Sequence, residues 1–317
     1  MNDKTKPESF SGAASAVSAF LIWGLTPIYF KWLKAVPPFE ILMHRIVWSF
    51  LFLMPFVFFL GYRQELRLAL KNRNTLGILV ATTLLVSCNW FIFIWAINND
   101  QILQTSLGYY INPLINVLLG MIFLRERLRA AQWGAVLIAF AGVGYLTVQF
   151  GKLPWISLTL ALTFGFYGLI RKVAPVSALV GLSVETLLMF APAVAYLIYI
   201  GGAGDGAFFQ KGLNVDLLLM AAALVTAPPL LLFTIGARRL HMSTIGILQY
   251  IAPSSTFLLA VFIYGEPFSR AKLWTFMLIW IALCIYSADS LIYYRKVNPV
   301  VAKAKDAPDP RRPGAKP

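Results

Sequence analysis

Charge is scarce in this chain: only 13% of its 317 residues are Asp, Glu, Lys or Arg, against roughly 25% in an ordinary soluble domain. With 59% of residues hydrophobic, that scarcity argues against a soluble enzyme. Cysteine is almost missing, and both copies, Cys88 and Cys284, fall inside apolar runs, where thiols behave as small hydrophobes. A disulfide framework is therefore not indicated. The two histidines, His44 and His241, stand far apart in sequence, which argues against a Cys/His metal site. No G-x-x-x-x-G-K-[ST] segment occurs, which argues against a nucleotide-driven engine, and no cofactor is expected. Acidic residues are the scarcer sign, 13 against 27 basic, for a net charge of +14. In a soluble protein that excess would suggest nucleic acid. Here the basic residues gather in short connecting segments and the tail, where Lys and Arg hold loops on the cytoplasmic side of a membrane, so no nucleic-acid partner is expected.

What the chain does contain is apolar sequence, which divides into about ten stretches of roughly 17–23 residues, each able to cross a ~30 Å hydrocarbon core as a helix. The expected spans are 12–33, 39–60, 76–97, 104–124, 131–149, 154–171, 177–200, 215–237, 243–264 and 272–293. Turn signals separate them, including Val36-Pro37-Pro38, the polar run from Gly61 to Asn74, Asn98-Asn99-Asp100 and the glycine-rich Gly201 to Gly212. The fold class is thus an all-α polytopic membrane protein embedded in a lipid bilayer. Residues 1–11 form an N-terminal segment, and 294–317, rich in Pro, Lys and Ala, read as a disordered tail. An inside N-terminus puts Lys4, Lys6, Arg63, Arg67, Lys71, Arg73, Arg125, Arg127, Arg129, Arg171, Lys172, Arg238, Arg239 and the basic tail in the cytoplasm. Only Lys31, Lys34, Lys152, Lys211, Arg270 and Lys272 then fall outside, so both termini are expected inside.

Residues 106–126 align without a gap on 246–266: Tyr110, Ile111, Pro113, Leu118, Leu119 and Glu126 meet Tyr250, Ile251, Pro253, Leu258, Leu259 and Glu266. Upstream, Phe20 and Trp23-Gly24-Leu25 resemble Phe164 and Tyr167-Gly168-Leu169 after a small gap. Two repeats, 12–149 and 154–293, follow. A repeat of five helices crosses the membrane an odd number of times, so the second is inverted relative to the first. Such inverted repeats mark secondary transporters, although a static duplicated bundle has the same sequence pattern.

Charges at membrane depth are costly and tend to face protein or water. Arg45 lies about seven residues into the second span, roughly 10 Å deep at 1.5 Å per residue, and either faces the interior or snorkels outward. The same alignment sets Glu185 of the seventh span opposite it, as a possible proton-coupling or substrate group or a packed neutral carboxyl. Glu40, two residues after Pro38, suits a helix first turn, and Glu126 and Glu266 read as helix-end groups. Asn89, Trp90, Tyr109, Tyr110, Asn112, Gln249 and Tyr250, with Asn116 and Ser254 to Thr256, either line a cavity or join helices. Pro113 and Pro253 each remove a backbone hydrogen bond and are expected to kink their helices.

The combination Trp23-Gly24, Glu40-Ile41-Leu42-x-His44-Arg45, Asn89-Trp90, Ile94-Trp95-Ala96, Ser106-Leu107-Gly108-Tyr109, Ile111-Asn112-Pro113-Leu114, Gln249-Tyr250-Ile251-x-Pro253 and Tyr264-Gly265-Glu266 resembles the RarD branch of EamA-type transporters, in the drug/metabolite transporter superfamily. The resemblance, over about 12–293, implies ten helices in two inverted five-helix repeats, a multi-pass location in the bacterial inner membrane, and export or exchange of a small-molecule solute. A homodimer stays open. The candidate cavity residues are Arg45, Asn89, Trp90, Tyr109, Tyr110, Asn112, Gln249 and Tyr250, with Glu185 as a coupling candidate. A flippase for an amphipathic lipid-linked substrate and a non-transport membrane protein are the alternatives. An enzyme using Ser254, His44 or Glu185 is disfavoured by the lack of paired histidines, a carboxylate dyad or H-E-x-x-H.

Overall fold

The computed structural model describes residues 10–99, 102–151, 154–263 and 270–306, which are helical apart from short turns. Helices α1 (Phe10–Trp32), α2 (Pro38–Phe59), α3 (Arg63–Lys71), α4 (Arg73–Asn98), α5 (Ile102–Phe123) and α6 (Ala130–Phe150) make the first half. The second half has α7 (Trp155–Val173), α8 (Ala178–Ala203), α9 (Leu213–Arg239), α10 (Met242–Gln249) and α11 (Ile251–Leu258), a π-helical turn at Leu259–Ile263, and α12 (Arg270–Asp306). Among the described residues nine segments are long and apolar enough to cross a membrane, α10 through the π turn counting as one, and α5 adds the shorter apolar stretch Leu107–Phe123.

Helix starts keep a common register. Helices α2, α4, α5 and α6 open at 38, 73, 102 and 130, and α8, α9, α10 and α12 open at 178, 213, 242 and 270, a constant shift of 140. Matched helices also pack on one another: α2 on α8, α5 on α10, and α6 on α12. Tyr250 donates its hydroxyl to the carbonyl of its own counterpart, Tyr110, at 3.1 Å. Around the centre, Phe20, Trp23, Phe164 and Phe233 form one aromatic cluster with ring centroids 5.3–6.1 Å apart.

Several boundaries differ from the sequence reading. The polar run 61–74 contains the amphipathic α3, whose Ala69 is buried and whose Glu65 accepts a hydrogen bond from the Ser177 backbone N–H at 2.5 Å. Helix α12 continues to Asp306, past the expected end at 293 and into the segment read as a disordered tail; Lys and Ala in that stretch are good helix formers. The ninth span is divided at Tyr250, three residues before Pro253, whereas α5 runs unbroken through Pro113. Tyr264-Gly265-Glu266 lies outside the described residues, as does 1–9.

Lipid tails are as apolar as the side chains they touch, so helix association relies on close packing and interhelical hydrogen bonds. Gly246 of α10 shows the first: a Cβ there would run into the Pro113 carbonyl oxygen of α5, a backbone atom with little freedom to yield. Gly246→Ala is expected to destabilise the fold by about 1–3 kcal/mol through overpacking. Gly134 of α6 has open space where its Cβ would go, so Gly134→Ala should be neutral or stabilising by up to about 1 kcal/mol. Thermal unfolding in one detergent reads both, and equal effects would refute the packing argument.

Candidate functional site

The second span packs on α8 and α9, and Arg45 points inward from it. Its Nε donates to Thr226 Oγ1 of α9 at 2.9 Å, and its guanidinium lies 5.2 Å from the Trp90 ring of α4 and 5.8 Å from the Phe30 ring of α1. Three helices besides its own hold the group, so it points into protein and not along the lipid. One narrow cavity, with space for about one water molecule, is lined by Arg45, Ser49, Trp90, Tyr167, Glu185 and Thr226 among others.

Glu185 shares that cavity but has a different ionic partner. Its Oε1 stands 3.5 Å from Arg171 Nε and accepts from Thr82 Oγ1 at 2.6 Å, while Tyr167 Oη donates to Oε2 at 3.2 Å. Among the described residues no ion pair joins Glu185 to Arg45. Arg171 is fully buried, with Nη2 donating to the Ala178 carbonyl at 3.0 Å. Helix α7 runs on to Val173, so Arg171, read from sequence as the last residue of its span, lies in the last turn and is buried against the start of α8.

Most of the remaining candidates lie outside the lining of this cavity. Asn89 donates to the Leu160 carbonyl at 2.8 Å and to Thr163 Oγ1 at 2.9 Å, tying α4 to α7. Asn116 Nδ2 donates to Gln249 Oε1 at 2.6 Å and to Asn112 Oδ1 at 3.1 Å, so Asn112, Asn116 and Gln249 form a buried polar seam between α5 and α10. Tyr110 and Tyr250 are buried in the apolar core beside it, whereas Tyr109 is half-exposed, with its ring 6.1 Å from Phe93 and within electrostatic range of Arg45.

Two carboxylates read as helix-end groups reach across the fold. Glu126 accepts from the Met242 N–H at 2.6 Å and from the Ser243 N–H and Oγ at 2.9 and 2.8 Å, placing negative charge at the start of α10. Gly120, where a Cβ would collide with that carboxylate, and the left-handed Arg125 fold the chain back to allow it. Buried Glu40 likewise accepts from the Ala207 N–H, at 2.6 Å, in the segment between α8 and α9.

The EamA-like transporter family model matches residues 10–148. A Vibrio cholerae protein described as an uncharacterized transporter is 49% identical over 88% of this chain and 93% of its own length. Protein RarD of Salmonella typhi is 46% identical over 90% of this chain and 97% of its own. The chain belongs to the EamA-like transporter family, in its RarD branch. A solved crystal structure at 19% identity superposes with a TM-score of 0.71 over 88% of this chain and 98% of its own, a likeness of fold alone. Another relative, Protein RarD of Escherichia coli, is 43% identical over 90% of this chain. The chain is thus a multi-pass membrane transporter of the drug/metabolite class.

Of the polar groups in this RarD-branch bundle, sequence reasoning missed Arg171, Thr82, Thr226 and Ser49. Only Arg171 left a signal: a lone intramembrane Glu185 needs a nearby cation, and Arg171 lies two helical turns and a short connection away. Breaking the buried pair from either side, by Glu185→Gln or Arg171→Met, is expected to cost about 3–5 kcal/mol because it strands one buried group. The double variant Glu185→Gln/Arg171→Met should recover most of that loss. Unfolding measurements on all four proteins close the cycle, and additive losses would show that the two residues are not coupled.

Proposed function

We propose that this chain is a secondary carrier that exports or exchanges a small metabolite or drug-like solute by alternating access. Its two five-helix halves, 12–149 and 154–293, would be inverted relative to one another in the bacterial inner membrane, with both termini in the cytoplasm. The observation that carries this reading is the interior cavity at Arg45, set where helices of both halves meet. The constant shift of helix starts and the packing of matched helices support the inverted repeat, since two equivalent halves can exchange conformations and turn an outward opening into an inward one. In this reading Arg45 and Trp90 contact the solute, and Tyr109 stands on the access route.

Glu185 is the coupling candidate. Its carboxylate is shared among Arg171, Thr82 and Tyr167. A proton arriving on it would release Arg171 and loosen α8 from α4 and α7. The polar seam Asn112–Asn116–Gln249 and the Tyr110–Tyr250 contact belong in this scheme to the hinge between matched helices, with Pro113 and Pro253 beside them.

The test is solute uptake into proteoliposomes with and without a pH gradient, followed by untargeted mass spectrometry. Wild-type protein is expected to give saturable flux, and Arg45→Ala to lower it at least about tenfold, as loss of a desolvated charged contact does. Glu185→Gln should retain exchange but lose accumulation driven by the gradient. Absence of flux for every solute, with folded protein verified, would overturn the carrier reading and favour a lipid-linked substrate or a non-transport role.

A further inference from the structure

At the cavity, one cation has no carboxylate partner among the described residues. Glu185 is matched by Arg171, whereas Arg45 has no carboxylate within ion-pair distance among the described residues. Its Nε edge is taken by Thr226, and its faces lie against Trp90 and Phe30. The edge formed by its two terminal nitrogens carries no hydrogen bond among the described residues. A guanidinium edge with two parallel N–H groups matches the two oxygens of a carboxylate.

A second group points the same way. Ser49 stands one helical turn beyond Arg45 on α2, lines the same cavity, and is 1% exposed, yet its Oγ has no hydrogen-bond partner. A buried hydroxyl left unpaired is costly and calls for an explanation such as a ligand or ordered water. An anion on the free edge of Arg45 would supply an acceptor for that hydroxyl.

We infer that Arg45 and Ser49 form the anion subsite for a small organic monocarboxylate, whose carboxylate is gripped by the guanidinium edge and the Ser49 hydroxyl between the Trp90 and Phe30 rings. The inference rests on the carrier reading above and deepens it by naming the solute's class. A single uncompensated positive charge selects a monoanion: a phosphate dianion lacks a second cation, because Arg171 is committed to Glu185. A cationic solute is repelled, and a neutral amide leaves the charge unmatched. The cavity as observed holds about one water, so the carboxylate enters when the helices around Arg45 move apart.

The test uses the full-length protein in lipid nanodiscs and four probes with one ring and different charge: benzoate, benzamide, benzylamine and phenyl phosphate. Benzoate is expected to raise the unfolding temperature in a saturable way, with the other three giving clearly smaller shifts. Ser49→Ala should leave the ligand-free unfolding temperature unchanged or higher, since the hydroxyl has no partner to lose, while weakening apparent benzoate affinity by about 2–10-fold. Arg45→Gln should weaken it at least about tenfold, and Arg45→Lys should recover part. Equal shifts from benzamide or benzylamine, no benzoate shift, or a Ser49→Ala protein that is less stable but binds benzoate normally would each overturn the subsite. Flux in proteoliposomes without benzoate preference removes the inference and leaves the carrier standing; benzoate preference without flux of any solute does the reverse.

Discussion

The Glu185 carboxylate is the interaction on which the rest of the interior depends. It lies at the junction of α4, α7 and α8, and each of its contacts comes from a different position: Thr82 on α4, Tyr167 and Arg171 on α7. A charge inside a membrane bundle is tolerated when it is paired and hydrogen-bonded, and strongly destabilising when either condition fails. Because Arg171 meets that requirement, Arg45 does not have to. Pairing of Glu185 with Arg171 therefore leaves Arg45 without a carboxylate partner, among the described residues, in a cavity lined by both halves.

Packing around this junction follows the rules of an apolar solvent. Large side chains face lipid at no penalty, so specificity comes from where backbones approach and where polar groups must find each other. Gly246 against Pro113 brings α10 onto α5, and the Asn116–Gln249 hydrogen bond then fixes their rotation. Tyr250 reaches the carbonyl of Tyr110, its counterpart in the repeat, so the two halves meet through equivalent residues. The aromatic cluster of Phe20, Trp23, Phe164 and Phe233 gathers rings from α1, α7 and α9 without demanding any hydrogen bond.

Much of this was legible in the sequence, and for identifiable reasons. Hydropathy reports the spans because an apolar solvent leaves few alternatives to helices, and the shift of 140 reappears in the helix starts from α2 to α12. Arg45 and Glu185 stood out because intramembrane charge is rare. The partners of those charges were not legible. Arg171 sits within two residues of a helix end, where hydropathy cannot tell a loop cation from a buried one. Asn89 and Gln249 read equally well as cavity or interhelical groups, since both roles need polar groups on an inward face. Helix α3 was hidden because a short amphipathic helix has no apolar run to mark it. Glu40 and Glu126 had their roles divided between local and distant partners, and a first-turn or last-turn position specifies only the local one.

The carboxylates at the helix ends differ in kind from the one at the centre, and the difference bears on how such a bundle would move. Glu126 holds the start of α10 through three hydrogen bonds, and Glu40 holds the α8–α9 segment through the Ala207 N–H. Interhelical hydrogen bonds in membrane proteins average about 0.6 kcal/mol each, because the separated groups find other partners. At a helix end, water or a headgroup supplies those partners, so these contacts are cheap to exchange. The Arg171–Glu185 pair has no such substitute within the apolar interior. In a carrier that alternates as proposed, the helix-end carboxylates would make and break with each cycle. The central pair would stay intact unless a proton replaced Arg171, which makes Glu185 the point where ion coupling would enter and the helix ends the points where the halves would part.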